Sequence, residues 1–233
     1  DMGGLGKRVL FDNQLREPQQ AEKFQAAARQ YGVAVPSMAM SGFFAQSFLT
    51  RDNYQDLLKD CFQTMKLFGS KVAFLPLGGS GKDWQQEGCA AYQQMVSRLR
   101  TAGEMAKQEG ITIGIRTGMG AKFDKKLLKK VGSSQIKVYY NFQDAADHHR
   151  DICKELRKLG AQRIVQIHVS NTDSVNLQED PEINLPKIRK TLDKMKWSGW
   201  LVVERSRDVK RVRDVKYNFG RNIAYLKQVF QER

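Results

Sequence analysis

The chain has 233 residues, of which 41% are hydrophobic and 27% charged, and its formal net charge is +14. This composition is ordinary for a globular protein. No apolar run approaches the ~20 residues of a transmembrane helix, which excludes a membrane-spanning chain.

Short apolar runs alternate with longer amphipathic segments from one end of the chain to the other. The runs have the periodicity of buried or half-buried strands, and the longer segments carry apolar residues at three- and four-residue spacing. In chain order we predict strand 32–40, helix 53–69, strands 71–78 and 111–118 with helix 90–110 between them, strand 135–142, helix 147–160, strands 163–170 and 199–206, and helix 218–230.

This alternation predicts a parallel α/β fold, because parallel neighbouring strands need a long, usually helical, connection. We expect a (β/α)8 TIM barrel that lacks its first βα unit in this sequence, with residues 1–233 forming one N-terminally incomplete domain. The alternative is an open, doubly wound sheet. No strand is followed by a GxGxxG or GxxxxGK loop, and "LGGSGKD" at 77–83 comes nearest.

The three cysteines are Cys61, Cys89 and Cys153. Their odd number and the absence of CxxC spacing argue against a disulfide framework or a zinc knuckle. No signal peptide is visible in the opening "DMGGLGKRVLFDN". We leave the compartment undetermined and favour the cytoplasm, with the periplasm as the alternative if an upstream signal was removed.

Polar and ionisable residues gather at the carboxyl ends of the predicted strands, where a parallel barrel carries its reactive groups. Side-chain alternation places Lys137 and Tyr139 on one face with Asn141, and Gln166 on one face with His168. A lysine or glutamine in the middle of a strand is costly unless it pairs in a polar cavity. The alternative for Lys137 is that its ammonium group reaches past the helices to water.

Four segments in combination give the sequence a family resemblance. "IKVYYNFQDA", "RIVQIHVSNTD" and "WSGWLVVERSRD" with "NFGRNIAYLKQVF" resemble the sugar phosphate isomerase/epimerase proteins, which have a xylose-isomerase-like TIM barrel and belong to the AP endonuclease 2 superfamily. The resemblance implies a divalent metal (Mn²⁺, Mg²⁺ or Zn²⁺) held by two glutamates, an aspartate and a histidine, and proton transfer next to a sugar carbonyl.

Carried over by position, the histidine of that metal site matches His168 and the last glutamate matches Glu204. The first glutamate falls on Arg116 and the aspartate on Asn141. Half of the expected metal shell is therefore replaced, and an arginine repels a cation. The sequence predicts a degenerate metal site in which His168 and Glu204 bind an ion weakly, if at all.

Two functions follow from these residues. In the first, the protein is an isomerase or epimerase of a sugar or sugar phosphate, with Glu204, His168 and Lys137 as catalytic groups. Its substrate-binding residues are then Arg116, Asn141, Tyr139, Gln166, Asn171 and Arg205, with the Arg116 guanidinium suited to a carboxylate or phosphate. In the second, the barrel is a non-catalytic carbohydrate-binding or scaffolding protein.

The remaining alternatives concern individual residues and partners. His168 is a satisfied core histidine if strand context alone decides, and an ion pair of Arg116 with Glu204 explains both charges without catalysis. Basic residues are spread along the chain, which favours solvated helix faces over a nucleic-acid surface. We expect a sugar or sugar phosphate as the partner, neither nucleic acid nor a membrane, and keep a homodimer as an open assembly.

Overall fold

A computed structural model describes residues 1–78, 83–170 and 173–232. Six strands and eight α-helices lie within these residues. The strands are β1 (Ser37–Ala39), β2 (Val72–Pro76), β3 (Thr112–Arg116), β4 (Ile136–Asn141), β5 (Ile164–His168) and β6 (Trp200–Val202). The helices are α1 (Pro18–Gln30), α2 (Tyr54–Phe68), α3 (Ala90–Gln108), α4 (Ala121–Val131), α5 (Phe142–Ala146), α6 (Ile152–Leu159), α7 (Leu185–Lys194) and α8 (Val215–Phe230).

The strands form one sheet in the order β1-β2-β3-β4-β5-β6, and the recorded pairings are parallel. Consecutive strands are thus neighbours, and helices connect them as parallel pairing requires. This arrangement confirms the predicted α/β class with a parallel sheet. Of the described helices, none is long and apolar enough to cross a membrane.

The first and last strands are shorter than the apolar runs predict. Each has three residues, because residues 37–39 and 200–202 alone of those runs pair with the neighbouring strand. Helix α1 was not predicted from the sequence. Only Ala21 of that helix is buried, although Phe24 and Ala28 follow it at helical spacing.

The chain divides into two compact units. The first comprises Asp1–Thr117 and Lys126–Lys137, and the second comprises Gly118–Lys125 and Val138–Arg233. In the first unit, edge-to-face contacts link Phe11, Phe43, Phe48 and Tyr54, with successive ring centroids 5.3 to 5.6 Å apart. Such aromatic packing stabilises a core beyond the area it buries.

The second unit contains the carboxyl ends of β4, β5 and β6. Helix α8 belongs to this unit, and its most deeply buried residues are Asn218, Asn222 and Leu226. These residues follow one another at four-residue spacing and therefore share a face. The two asparagines lie deeper than the half-buried aromatic residues Phe219 and Tyr225 of the same helix.

Candidate functional site

Strand register brings three predicted site residues to one edge of the second unit. Asn141 is the register partner of His168, and His168 is the partner of Val202. The Val169 amide donates to the Val202 carbonyl at 2.8 Å, which extends the pairing beyond the last residue of β5. Glu204 follows two residues later, so it leaves the end of β6 beside His168.

His168 is the centre of this cluster. His168 as a whole is 7% exposed, and its Nδ1 atom lies 3.5 Å from Glu204 Oε2 and 3.4 Å from Asn141 Nδ2. The Tyr139 ring packs on the imidazole with its centroid at 4.4 Å. The Glu204 side chain is 46% exposed. The cluster therefore joins a buried imidazole to a carboxylate that solvent or a ligand can reach.

The Asn141 amide is oriented by helix α5. Its Oδ1 accepts the Gln143 amide hydrogen at 2.8 Å and so caps the helix. This leaves Nδ2 facing His168. The Nδ1 atom consequently has a hydrogen-bond donor on one side and a carboxylate acceptor on the other. It has a partner both when it carries a proton and when it does not.

This cluster offers few ligand atoms to a divalent ion. Asn141 turns its amide nitrogen toward His168, and a hard cation prefers oxygen ligands. One imidazole nitrogen and one carboxylate remain. Within the described residues there is no group of three or more His, Cys, Asp or Glu side chains that could hold a metal. The cluster alone therefore does not fit a tightly held metal.

The other predicted site residues lie as follows. Gln166 is fully buried in β5 opposite Tyr139, and Arg205 is exposed beside Glu204. Arg116 ends β3 in the first unit, with its guanidinium carbon 5.8 Å from the Phe44 ring centroid. Lys137 is the half-buried second residue of β4. Asn171 lies outside the described residues, and the roles of all of these residues stay predictions.

Sequence reasoning missed an ion pair close to the Glu204 segment. Arg207 donates two hydrogen bonds to Asp173, with Nε to Oδ1 at 2.9 Å and Nη2 to Oδ2 at 2.5 Å. These hydrogen bonds lower the pKa of the Asp173 carboxyl. The pair joins the segment after β5 to the segment after β6. The two residues are 34 apart in sequence, so no local pattern announces the contact.

Sequence reasoning also missed three buried asparagines, Asn176, Asn218 and Asn222, which we call the asparagine cluster. Two of them lie within helix α8, where asparagine is a poor helix former. Two asparagines at four-residue spacing were the one available signal. The cluster binds the backbone at Ser206, which is two residues beyond Glu204.

Comparison with known proteins gives the same fold. A curated relative, the inosose dehydratase of Mesomycoplasma hyopneumoniae strain 7448, is 24% identical over 93% of this chain and 88% of its own length. The solved 3-keto-D-glucoside 4-epimerase YcjR from E. coli superposes with a TM-score of 0.72 at 12% identity, covering 90% of this chain and 85% of that one.

A second solved structure is the D-psicose 3-epimerase with D-tagatose from Clostridium cellulolyticum H10. It also gives a TM-score of 0.72, at 14% identity, over 91% of this chain and 82% of that one. The family model described as "Xylose isomerase-like TIM barrel" matches residues 6–229. The match spans nearly the whole sequence, and the chain therefore belongs to the xylose isomerase-like TIM barrel family.

Proposed function

We propose that this protein is an enzyme that moves a proton at a carbon next to the carbonyl of a sugar or a related polyol. The relatives bear the names of a dehydratase and of epimerases. Beside a carbonyl, epimerisation, isomerisation and loss of water share their first step, which is removal of a proton from the adjacent carbon.

The observation that carries the proposal is the 3.5 Å approach of Glu204 Oε2 to His168 Nδ1. A partly exposed carboxylate can reach a substrate carbon, and a buried imidazole beside it can hold or return a proton. Catalytic hydrogen bonds are often long before a substrate binds. The distance is therefore compatible with an acid/base pair.

In the proposed reaction, Glu204 accepts the proton as the C–H bond breaks. The electron pair of that bond moves into an enolate whose negative charge lies on the former carbonyl oxygen. Lys137 lies near the start of β4, four residues before Asn141, so it has no part in this step and its catalytic role stays a sequence prediction. Protonation of the same carbon on its opposite face gives an epimer. Protonation of the former carbonyl carbon gives an isomer, with the enolate oxygen gaining a proton and the hydroxyl group on the adjacent carbon losing one. His168 supplies or stores the proton at Nδ1.

Substrate recognition is assigned to polar side chains on the basis of the sequence. Arg116 suits a carboxylate or phosphate, since its planar fork makes two parallel hydrogen bonds to such groups. Asn141, Tyr139, Gln166, Asn171 and Arg205 are assigned to hydroxyl groups and to the ring. A metal has no part in these steps, and weak binding of Mn²⁺, Mg²⁺ or Zn²⁺ by His168 and Glu204 stays a separate prediction.

The second candidate function is a carbohydrate-binding barrel without catalysis. The small number of acidic groups in the cluster favours it, because Glu204 is the cluster's one carboxylate. Proton transfer between two faces of a carbon is simplest with two acid/base groups. Because the buried His168 lies against Glu204, the two groups approach a substrate from one side, and epimerisation requires a further proton donor on the other side.

Exchange of substrate hydrogen with solvent tests the proposal without knowledge of the final product. Keto sugars, inososes and their phosphates are incubated with the protein in D2O, and NMR follows the C–H signal beside the carbonyl. We expect exchange with at least one compound. Glu204→Gln should slow it by about 10² to 10⁴-fold, the usual contribution of a general base.

A matched control is Glu87→Gln, since Glu87 lies in the first unit and pairs with Lys126. This variant should exchange at the wild-type rate. Unchanged exchange in Glu204→Gln would contradict the catalytic role of Glu204. Saturable sugar binding with no exchange of any compound would favour the binding protein.

Calorimetry with Mn²⁺ on the same proteins should show weak binding that Glu204→Gln removes. Tight stoichiometric binding of Mn²⁺ would contradict the weak site.

A further inference from the structure

We propose that the asparagine cluster positions the Glu204 carboxylate against His168. The catalytic meaning of this inference rests on the proposed function, but its geometric content does not. The cluster acts on Glu204 through the backbone of the segment that follows β6.

Glu204 lies midway between two fixed points of the backbone. On one side, the Val202 carbonyl accepts the Val169 amide hydrogen at 2.8 Å. On the other side, the Ser206 carbonyl accepts hydrogen bonds from Asn222 Nδ2 at 2.8 Å and from Asn176 Nδ2 at 3.2 Å. Each anchor is two residues from Glu204. The backbone of Glu204 is thus held on both sides, although its side chain is partly exposed.

The Ser206 anchor needs support because its backbone is strained. Ser206 is fully buried and has a φ of +69°, a left-handed conformation that non-glycine residues adopt at a cost. Such a conformation persists only where the surroundings enforce it. Two amide donors on one carbonyl provide that enforcement.

The cluster itself is extensively hydrogen-bonded. Asn218 Oδ1 accepts from Asn176 Nδ2 at 3.0 Å and from the Asp208 amide at 2.8 Å. Asn218 Nδ2 donates to the Arg211 and Asp214 carbonyls at 2.7 and 2.9 Å.

Asn222 completes the network, because its Oδ1 accepts the Leu177 amide hydrogen at 2.9 Å. The three asparagines are at most 2% exposed. A satisfied buried network of this kind specifies one geometry, whereas apolar side chains would pack α8 without fixing the direction of the Ser206 carbonyl.

Asn222→Asp keeps the shape and the Oδ1 acceptor but cannot donate to Ser206 once its carboxyl is ionised, and it is measured above the pH at which this buried carboxyl titrates, since burial favours its protonated, donating form. The chain has three histidines, and the other two, His148 and His149, are exposed, so ¹⁵N NMR can isolate the His168 imidazole. We expect the His168 signals of Asn222→Asp to move toward those of Glu204→Gln. The exchange rate at saturating substrate should fall at least about tenfold with little change in KM.

The control is Leu226→Ala, which weakens the packing of the same helix four residues away. It should lower the unfolding temperature and leave the His168 signals as in the wild type. If Asn222→Asp does not fold, Asn176→Ala removes the other donor to Ser206. Wild-type His168 signals in a folded Asn222→Asp or Asn176→Ala protein would overturn the inference. The NMR readout decides this even if no compound exchanges hydrogen.

Discussion

At the scale of single residues, surroundings decide what a side chain contributes. His168 Nδ1 lies between an amide donor and a carboxylate acceptor, so its chemistry depends on which neighbour it engages.

Two glycines within helices show that packing depends on surroundings in the same way. Gly103 in α3 is buried, whereas Gly220 in α8 is exposed. Added methyl groups at the two positions meet different environments.

Replacing each glycine with alanine should change stability in opposite directions. A methyl group on Gly103 would lie 2.8 Å from Ser133 Cβ and 3.3 Å from Ile136 Cγ1, so Gly103→Ala should destabilise by about 1 to 3 kcal/mol through overpacking. A methyl group on Gly220 meets nothing within 4 Å. Gly220→Ala should therefore stabilise by about 0.5 to 1 kcal/mol, because alanine is the better helix former.

Urea denaturation of the two variants measures both effects. Each glycine serves as the control for the other, since both substitutions are chemically identical and both lie within helices. A stabilised Gly103→Ala protein would mean that Ser133 moves aside at little cost. A destabilised Gly220→Ala protein would contradict the open surroundings of that residue.

At the scale of elements, helix boundaries depend on capping groups. The sequence periodicity predicts one helix over 147–160, but α6 begins at Ile152. Asp151 is its N-cap and accepts the Lys154 amide hydrogen at 2.9 Å. An aspartate immediately before an apolar-periodic segment is a recognised start signal. The sequence therefore contains the signal for this helix start in Asp151, but a prediction from apolar spacing alone does not use it.

The Asp151 cap should make α6 sensitive to acid. The hydrogen bond from the Lys154 amide, assisted by the charge of Lys187, lowers the pKa of Asp151 below its ordinary value of 3.8. A group with a lowered folded pKa stabilises the protein above the unfolded value and loses that contribution as pH falls through the folded value. The Lys154 amide should therefore lose protection against hydrogen exchange as the pH is lowered below about 4.

Asp151→Asn is the informative variant, because asparagine caps a helix about as well as aspartate and does not titrate. In this variant the Lys154 amide should show no loss of protection specific to that pH range. Asp151→Ala should cost about 1 kcal/mol at neutral pH. Equal acid sensitivity in wild type and Asp151→Asn would assign the effect to another carboxylate.

At the scale of the whole molecule, the sequence predicts the repeated strand and helix pattern, but it does not predict sites that depend on contacts between residues distant in sequence. The alternation of apolar runs and amphipathic segments predicted the parallel α/β fold. The family resemblance assigned His168 and Glu204 to one site, and their side chains lie 3.5 Å apart. The asparagine cluster was not predictable, since its contacts join residues separated by up to 45 positions. No periodicity encodes such contacts, and polar residues at those positions read locally as surface residues.

The net charge of +14 is also a property of the whole molecule. Basic residues occur in α4, α6 and α7 as well as in the loops, and some pair with acids, as Lys126 does with Glu87 and Lys187 with Asp151. A nucleic-acid site requires cations gathered on one surface. We therefore expect duplex DNA to bind only as a non-specific contact, with a Kd above about 1 μM at 0.15 M NaCl that rises further as salt is added. Fluorescence anisotropy of a labelled duplex across a salt series measures this, with Glu204→Gln as the control that should bind equally. Submicromolar binding at 0.15 M NaCl would contradict the assignment of the charge to solvated helix faces and would make a polyanion a partner of this barrel.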